Sequence, residues 1–163
     1  MIEAVVFDLD GTLVRLPIDY DRLFAEVKKI MRVDEVRPFV DAVLGVDGKT
    51  RQLVFVAWEK AELAVEKDVS ANDAGMKIYR AHADKRKALV TLQGKTIVEK
   101  ILRQQGLVFD VVVTREDTLS RVDQIVKAAN QLKVTVKNVL FVGNTEGDAN
   151  AAEELGCQFL KIS

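Results

Sequence analysis

The chain has 163 residues, of which 48% are hydrophobic and 30% charged, a balance typical of one globular domain or of one domain with a large insertion. Its 24 basic and 25 acidic residues give a net charge of -1, so the composition excludes a general attraction to nucleic acid or to an anionic membrane surface. A small-molecule partner is therefore expected, and the sequence does not set the oligomeric state.

The sequence also predicts where the protein resides. Cys157 is the only cysteine, so no internal disulfide can form, which is typical of a reducing compartment. No apolar run approaches the length of a membrane span, and a strand pattern begins almost at Met1 with no signal peptide before it. These features predict a cytoplasmic protein.

Five short apolar runs bounded by turn residues have the pattern of buried strands. They begin at Ala4, Ala88, Asp110, Val139 and Phe159. Apolar residues at helical spacing follow three of these runs, over about residues 97–105, 122–132 and 151–155. The alternation predicts an α/β fold, a Rossmann-like parallel sheet of about five strands flanked by helices.

The segment after the first strand breaks this alternation, because residues 15–87 contain helix patterns and no convincing strand. Helices are expected over residues 20–31, 36–44, 51–66 and 71–86. The sequence therefore predicts an α/β core made of residues 1–14 and 88–163, and an all-helical cap, residues 15–87, inserted after strand 1.

The first strand ends on two aspartates, in the segment VVFDLDGTLV at residues 5–14. Like charges a few ångströms apart, such as Asp8 and Asp10, repel by roughly 4 kcal/mol at an effective dielectric constant near 20. The pair indicates a nearby cation or a catalytic role, although Asp before Gly is also typical of an ordinary turn. Side chains two residues apart in an extended segment point the same way, so both carboxylates can address one group.

Polar residues also stand at the ends of three other predicted strands. Thr91, Thr114 and Asn144 each lie at or just after the end of an apolar run. Ligands of open parallel sheets bind beyond the carboxyl ends of the strands, so these residues are expected at one edge together with Asp8 and Asp10.

Three motifs carry a resemblance to a known family. DLDGTL (residues 8–13), LVTLQGK (89–95) and VGNTEGD (142–148) resemble the first, second and fourth motifs of the haloacid dehalogenase-like (HAD) hydrolase superfamily. The helical insertion resembles the small cap of the subgroup that includes phosphoglycolate phosphatases and β-phosphoglucomutases. The resemblance implies a Mg2+-dependent phosphatase that hydrolyses a small phosphorylated metabolite, a phosphomonoester, through an aspartyl-phosphate. A dehalogenase is disfavoured, since the family's dehalogenases lack the second aspartate.

The resemblance assigns roles to the first two motifs. Asp8 would be the nucleophile, and Asp10 the general acid and then the base for water, with its main-chain carbonyl on the metal. Thr91 would donate its hydroxyl to a phosphoryl oxygen, or is an ordinary buried strand threonine. The amide of Leu92 and the helix start at Gly94, where glycine lets the backbone approach an anion, would assist.

The family's third motif, a Lys or Arg often followed by Pro, has no direct match, because no Lys-Pro occurs. Arg121 lies in the first turn of a predicted helix and is predicted to take this role. Lys127 lies about 9 Å further along that helix at about 1.5 Å per residue, which disfavours it. Lys95 and Arg115 are the alternative candidates.

The fourth motif departs from the family pattern at Asn144, where an acidic metal ligand is usual. An amide oxygen can still bind a hard cation, but the site loses one negative charge and its Mg2+ affinity should fall. Asn144 is alternatively a helix cap with no catalytic part. Asp148 would hold a metal-bound water or a basic side chain, or would complement the helix dipole. The predicted metal site thus comprises Asp8, Asp10, Asn144 and Asp148.

The cap adds two candidate substrate-binding residues, in and just after the loop GVDGKT. Lys49 and Arg51 would reach a distal anionic group of the substrate, or are solvated charges at a helix start. The missing Lys-Pro and the neutral Asn144 leave a second function open: a catalytically weak or inactive homologue that binds a ligand or a partner.

Overall fold

The computed structural model describes the whole chain, residues 1–163. The strands are β1 (Ala4–Phe7), β2 (Val14–Arg15), β3 (Ser70–Ala71), β4 (Arg86–Val90), β5 (Val111–Val113), β6 (Val139–Gly143) and β7 (Gln158–Lys161). The α-helices are α1 (Tyr20–Met31), α2 (Phe39–Leu44), α3 (Gly48–Leu63), α4 (Asp73–Ala81), α5 (Lys95–Gln105), α6 (Arg121–Leu132) and α7 (Glu146–Leu155). None of these helices has both the length and the apolar composition needed to cross a membrane.

Five strands form one parallel sheet in the order β5-β4-β1-β6-β7, which confirms the predicted α/β fold. The central strand β1 is fully buried, as expected for an apolar run covered on both faces. Phe7, its last residue, pairs with Leu89 on one side and Val142 on the other. This register brings the residues that follow β1, β4 and β6 to one edge of the sheet.

Helices cover both faces of the sheet, because successive side chains of β1 point to opposite sides. Val5 and Phe7 belong to one apolar cluster with residues of α4 and α5. Ala4 and Val6 belong to a second cluster with residues of α6 and α7. Burying a side chain of the size of Phe7 stabilises the fold by about 1.5–3 kcal/mol, so these two layers anchor β1 and the loop after it.

The helices that follow β1 divide into two groups. Residues of α1, α2 and α3, among them Leu23, Val43 and Trp58, form most of a third apolar cluster, which also contains Leu119 of the core. Helix α4 instead packs on the sheet: Met76 joins the cluster of Phe7, and the Tyr79 ring contacts the Phe7 ring edge to face, with 6.0 Å between centroids. The segment 15–87 therefore contributes to two apolar layers.

The structure departs from the sequence prediction in two places within this segment. The helix expected over residues 71–86 ends at Ala81, because the chain turns and Arg86 pairs with Ala4 as the first residue of β4. The expectation of no strand in residues 15–87 is wrong, since β2 and β3 form a short antiparallel ribbon. Two residues per strand are too few to produce a periodic signal.

Candidate active site

Asp8 and Asp10 lie on a tight loop that begins where β1 ends. Three successive N–H groups after Gly11 donate to the carbonyl oxygen of Leu9 at 3.2, 2.9 and 3.2 Å, so the chain folds around this buried residue. Gly11 has a φ of 82°, a conformation that other residues rarely adopt. A Cβ at Gly11 would also lie 2.1 Å from Nδ2 of Asn144, so glycine permits the contact between this loop and the end of β6.

The guanidinium of Arg121 contacts Asp8. Ser120 caps α6, which places Arg121 in the first turn, and its Nη2 donates to Asp8 Oδ1 at 3.0 Å. Its Nε donates to Asp148 Oδ1 at 3.0 Å, and its Nη1 donates to Oε1 of Gln124. Three acceptors thus fix one planar cation beside the first aspartate.

The other basic candidates for the third motif lie elsewhere. Lys127 pairs with Asp117 at 2.9 Å on the exposed side of α6, and Arg115 is buried against Glu62. Lys95 lines a separate groove behind the loop after β5. Among the four basic residues considered, Arg121 is the one that the structure brings to Asp8.

Both aspartates have raised pKa values. Burial raises the pKa of Asp8 to about 7, although the Arg121 guanidinium lowers it, and the charge of Asp148 raises it further. Burial also raises the pKa of Asp10, against hydrogen bonds from the amides of Leu16 and Gly11. Asp10 Oδ1 accepts the Leu16 bond at 2.9 Å. The site therefore disfavours negative charge on both aspartates unless a second cation joins Arg121.

Asn144 shares the site with Asp8. Thr12 Oγ1 lies 3.4 Å from Asp8 Oδ2 and 3.3 Å from Asn144 Oδ1, so one hydroxyl connects the loop after β1 to the residue after β6. This closeness is what the carboxyl-end rule for parallel sheets predicts.

Asp148 supports this arrangement from the first turn of α7. Its Oδ2 accepts hydrogen bonds from the amides of Asn144 and Thr145 at 3.2 and 3.3 Å, while its other oxygen accepts from Arg121. Thr145 is the N-cap of α7, because its Oγ1 accepts from the Asp148 amide at 3.0 Å. The alternative that Asn144 caps this helix is therefore wrong.

The loop after β4 places Thr91 behind the cleft. Thr91 is fully buried, and its hydroxyl donates to Oε1 of Gln93 at 3.2 Å and accepts from the Gln93 amide at 3.1 Å. Leu92 faces the cleft, and its main-chain N–H makes no hydrogen bond within the protein. Leu92 therefore lines the cleft, whereas the Thr91 hydroxyl is hydrogen-bonded to Gln93 behind it.

The start of α5 binds carboxylates of the protein itself. The Gly94 amide donates to Glu62 Oε2 at 3.1 Å, and the Lys95 amide donates to both carboxylate oxygens of Glu116 at 3.1 Å. A helix N-terminus attracts anions. The anion expected at Gly94 is thus a side chain from α3, and neither Gly94 nor Lys95 lines the cleft.

Glu62 and Arg115 form a buried ion pair that was not predicted from the sequence. Arg115 Nη1 and Nη2 donate to the two Glu62 oxygens at 2.7 and 2.8 Å, and the guanidinium lies 4.3 Å from the centroid of the Trp58 ring. Glu62 stands four residues after Trp58 and eight after Val54, on the buried face of α3. A carboxylate at that spacing within an apolar face was the available signal.

A cleft of about 290 Å³ opens above the two aspartates. Its floor is formed by Asp8, Asp10, Leu92, Gln93, Arg121, Asn144 and Thr145. Its roof is formed by Tyr20, Phe24, Phe39, Val40 and Trp58. Burial, together with the nearby Asp10 carboxylate, raises the pKa of Tyr20 to about 12, so its hydroxyl stays protonated. None of the roof residues was predicted from the sequence as part of the site.

The structure does not bring the two basic cap residues to this cleft. The Arg51 guanidinium donates to the carbonyl oxygens of Val43, Leu44 and Val46 at 3.1–3.4 Å, at the end of α2. Lys49 is exposed in the first turn of α3. The free carbonyls at a helix C-terminus attract a basic side chain, which explains the position of Arg51.

Oxygen donors for a hard cation meet at the floor of the cleft, where Asp8, Asp10 and Asn144 lie together. No group of three or more His, Cys, Asp or Glu side chains is arranged to hold a metal ion. A divalent cation here would depend on the carboxylate and amide oxygens of these three residues. This donor set fits Mg2+, which prefers oxygen ligands.

The fold is similar to several solved structures. A haloacid dehalogenase-like family hydrolase from Streptococcus pneumoniae has a TM-score of 0.72 and 18% identity, over 99% of this chain and 85% of the other. A protein assigned as a phosphoglycolate phosphatase from Lactobacillus plantarum has a TM-score of 0.70 and 20% identity, over 98% of this chain and 86% of the other. CbbY from Rhodobacter sphaeroides, in complex with phosphate, has a TM-score of 0.69 and 19% identity, over 98% of this chain and 85% of the other. At these identities the likeness shows a shared fold.

No curated protein sequence matches the chain. Residues 78–162, just over half of the chain, match the family model of the haloacid dehalogenase-like hydrolases. The matched segment contains β4 to β7, and with them Thr91, Arg121, Asn144 and Asp148. This match confirms the resemblance predicted from the motifs, and the chain belongs to the haloacid dehalogenase-like hydrolase family.

Proposed function

We propose that the chain is a Mg2+-dependent phosphatase that hydrolyses a small phosphomonoester through an aspartyl-phosphate. One observation carries the proposal: Asp8, at the end of β1, lies 3.0 Å from the Arg121 guanidinium and shares an open cleft with Asp10. A phosphoryl group in this position would meet a nucleophile, a proton donor and a fixed positive charge together.

The two aspartates divide the chemistry. A carboxylate oxygen of Asp8 attacks phosphorus, and the bond to the leaving oxygen breaks as Asp10 gives that oxygen a proton. Asp10 then takes a proton from a water molecule, whose oxygen attacks phosphorus and releases inorganic phosphate and free Asp8. Burial raises the pKa of Asp10, which favours the protonated form that the first step needs.

Donors around the cleft would neutralise the phosphoryl oxygens. Arg121 supplies a planar cation held in place by Asp148 and Gln124. The Leu92 amide is free to donate, and the Thr91 hydroxyl can do so when it leaves Gln93. Donors fixed before the reaction stabilise developing charge without reorganisation.

Asp8, Asp10 and Asn144 would hold the Mg2+ ion through carboxylate, main-chain carbonyl and amide oxygens. The bound ion would supply positive charge that offsets both aspartates and the phosphoryl group. Asp148 supports the site by orienting Arg121 and the amides of the loop after β6. A small phosphorylated ligand is consistent with the related folds, since CbbY structures contain phosphate and, in a variant, xylulose-(1,5)-bisphosphate.

The division into a core of residues 1–14 and 88–163 and a cap of residues 15–87 is part of the proposal. Helices α1, α2 and α3 supply the roof of the cleft and would exclude water during the reaction. Helix α4 belongs to the same inserted segment but packs on the sheet, so it is attached to the core and not to the roof.

A second candidate function is phosphate-ligand binding without turnover. It is favoured by the neutral Asn144 and by the carboxylates of Glu62 and Glu116, which occupy the amides at the start of α5. These features leave fewer charges and fewer free donors for catalysis than the family motifs imply.

The deciding experiment is phosphate release from a panel of phosphomonoesters with Mg2+. Asp8→Asn is the blank, and Asp34→Asn, an exposed aspartate changed in the same way, is the matched control. The proposal requires turnover in the wild type and in Asp34→Asn, and its loss in Asp8→Asn. A wild type that binds phosphate or beryllium fluoride with Mg2+ but releases nothing above the blank would favour the binding function.

A further inference from the structure

The roof of the cleft is apolar. Phe24 and Phe39 lie with ring centroids 4.9 Å apart, and Phe39 lies 4.9 Å from Trp58, so the rings form one continuous wall. Tyr20 extends this wall, 5.7 Å from Phe24, and Val40 completes it. A substrate held by its phosphoryl group at Asp8 would place its organic part against these side chains.

The roof also carries no positive charge. The one basic residue in the cleft is Arg121, which is committed to the phosphoryl end by its contact with Asp8. Arg115 lies behind Trp58, but its side chain is 1% exposed and Glu62 neutralises it. The faces of aromatic rings are electron-rich and therefore repel anions.

We propose that the substrate is the monophosphate of an uncharged, largely apolar alcohol or phenol, with no second anionic group. This inference rests on the proposed phosphatase function and specifies its substrate class. A second carboxylate or phosphate would be taken out of water against Phe24, Phe39 and Trp58 without a partner, which is costly. An apolar ring or chain of the substrate would instead remove apolar surface from water, both its own and that of the roof, which is favourable.

The hydroxyl of Tyr20 and the side chain of Gln93 add limited polarity at the border between roof and floor. These uncharged donors can accommodate a hydroxyl or ether oxygen of the organic part, but they cannot neutralise a full negative charge. The roof residues therefore select substrates with an uncharged organic part over substrates with a second negative charge.

The test compares three benzyl phosphates that differ only in the para substituent: methyl, carbamoyl and carboxylate. The carbamoyl and carboxylate groups match in size and shape, so their comparison isolates charge. We expect kcat/KM for the methyl compound to exceed that for the carboxylate by about 10-fold or more, with the carbamoyl compound closer to the methyl one. Equal or faster turnover of the carboxylate would overturn the inference and leave the phosphatase function standing.

If the chain is not a phosphatase, the result is different, because none of the three compounds is then hydrolysed above the Asp8→Asn blank.

A gain-of-function variant adds a second measurement. Val40→Lys, at a half-buried position of the roof, should raise kcat/KM for the carboxylate relative to the methyl compound by about 10-fold, whereas the uncharged Val40→Gln should not. An unchanged ratio in Val40→Lys would overturn the assignment of this wall as the specificity surface.

Discussion

Glu62 of α3 and Arg115 of the loop after β5 join two parts of the molecule through a buried, bidentate ion pair. The two hydrogen bonds measure 2.7 and 2.8 Å, and the Glu62 and Arg115 side chains are 0% and 1% exposed. Glu62 also accepts from the Gly94 amide, and Arg115 donates to the Leu92 carbonyl oxygen. One pair thus connects the roof of the cleft to the loop that presents Leu92.

Breaking this pair on one side should destabilise the protein strongly. Glu62→Gln leaves the Arg115 guanidinium buried without a counter-charge, so the free energy of unfolding should fall by about 3–5 kcal/mol. Denaturant unfolding at neutral pH measures the change. Lys127→Gln, which removes the exposed pair with Asp117, is the control and should cost less than about 1 kcal/mol. Equal losses in the two variants would show that burial does not decide the strength of the pair.

Because the pKa of Asp8 is raised, we expect Asp8→Asn to have a higher free energy of unfolding than the wild type, by an amount that depends on pH. The folded-state pKa is about 7 and the ordinary value is 3.8, so between these values the folded chain holds a proton that the unfolded chain has lost. The contribution of Asp8 to stability is therefore greatest below pH 3.8 and is lost as the pH rises through about 7. At pH 8, without divalent cations, Asp8→Asn should be more stable than the wild type by on the order of 2–4 kcal/mol.

Thermal melts in a chelating buffer at several pH values measure this effect. The gain in Asp8→Asn should shrink as the pH falls from 8 to 4, because the wild-type carboxyl then takes up its proton. Asp34→Asn, at an exposed position, should show no such trend. A gain of constant size across this range would mean that Asp8 does not titrate as its burial implies.

Gly75 allows α4 to lie close to the loop that carries Asp8 and Asp10. A Cβ on this residue would lie 1.7 Å from the carbonyl oxygen of Thr12, a main-chain atom that cannot move without shifting Asp10 and Gly11. Gly75→Ala should therefore lower the free energy of unfolding by about 1–3 kcal/mol and reduce activity with it. Gly48→Ala in α3 meets no atom within 4 Å and should leave both quantities nearly unchanged. A fully active and stable Gly75→Ala would show that α4 can shift away from this loop without cost.

Much of the sheet could be predicted from the sequence, because buried parallel strands are short runs of apolar residues. The carboxyl-end rule predicted that Asp8, Asp10 and Asn144 share an edge, and the structure places them in one cleft. Thr114, expected at the same edge, lies in a separate groove, where its hydroxyl donates to Glu116. Thr91 follows a strand at this edge as expected, but Gln93 holds its hydroxyl.

The parts that could not be predicted depend on how separate elements dock. The pairing of Glu62 with Arg115 spans 53 residues and depends on the position of α3 over the sheet, which no local pattern specifies. For the same reason, the helix start at Gly94 was expected to bind a substrate anion and binds Glu62 instead. Arg51 could not be separated from a substrate-binding residue until the end of α2 was placed beside it.

Asn144 stands where the motif resemblance implies an acidic metal ligand, so its replacement by Asp tests the proposed metal site. Asn144 Oδ1 lies 3.3 Å from Thr12 Oγ1, a contact that an aspartate of the same shape can keep. The added charge would lie close to Asp8 and Asp10, so Asn144→Asp should be less stable than the wild type without metal. With Mg2+ the same charge attracts the ion, and the affinity for Mg2+ should rise by about 10-fold to 100-fold.

Titrating the melting temperature against Mg2+ measures both effects, and Asn130→Asp, at an exposed position of α6, controls for the charge alone. If Asn144→Asp and the wild type titrate alike, the amide oxygen of Asn144 is not a metal ligand, and the ion, if it binds, depends on the two aspartates.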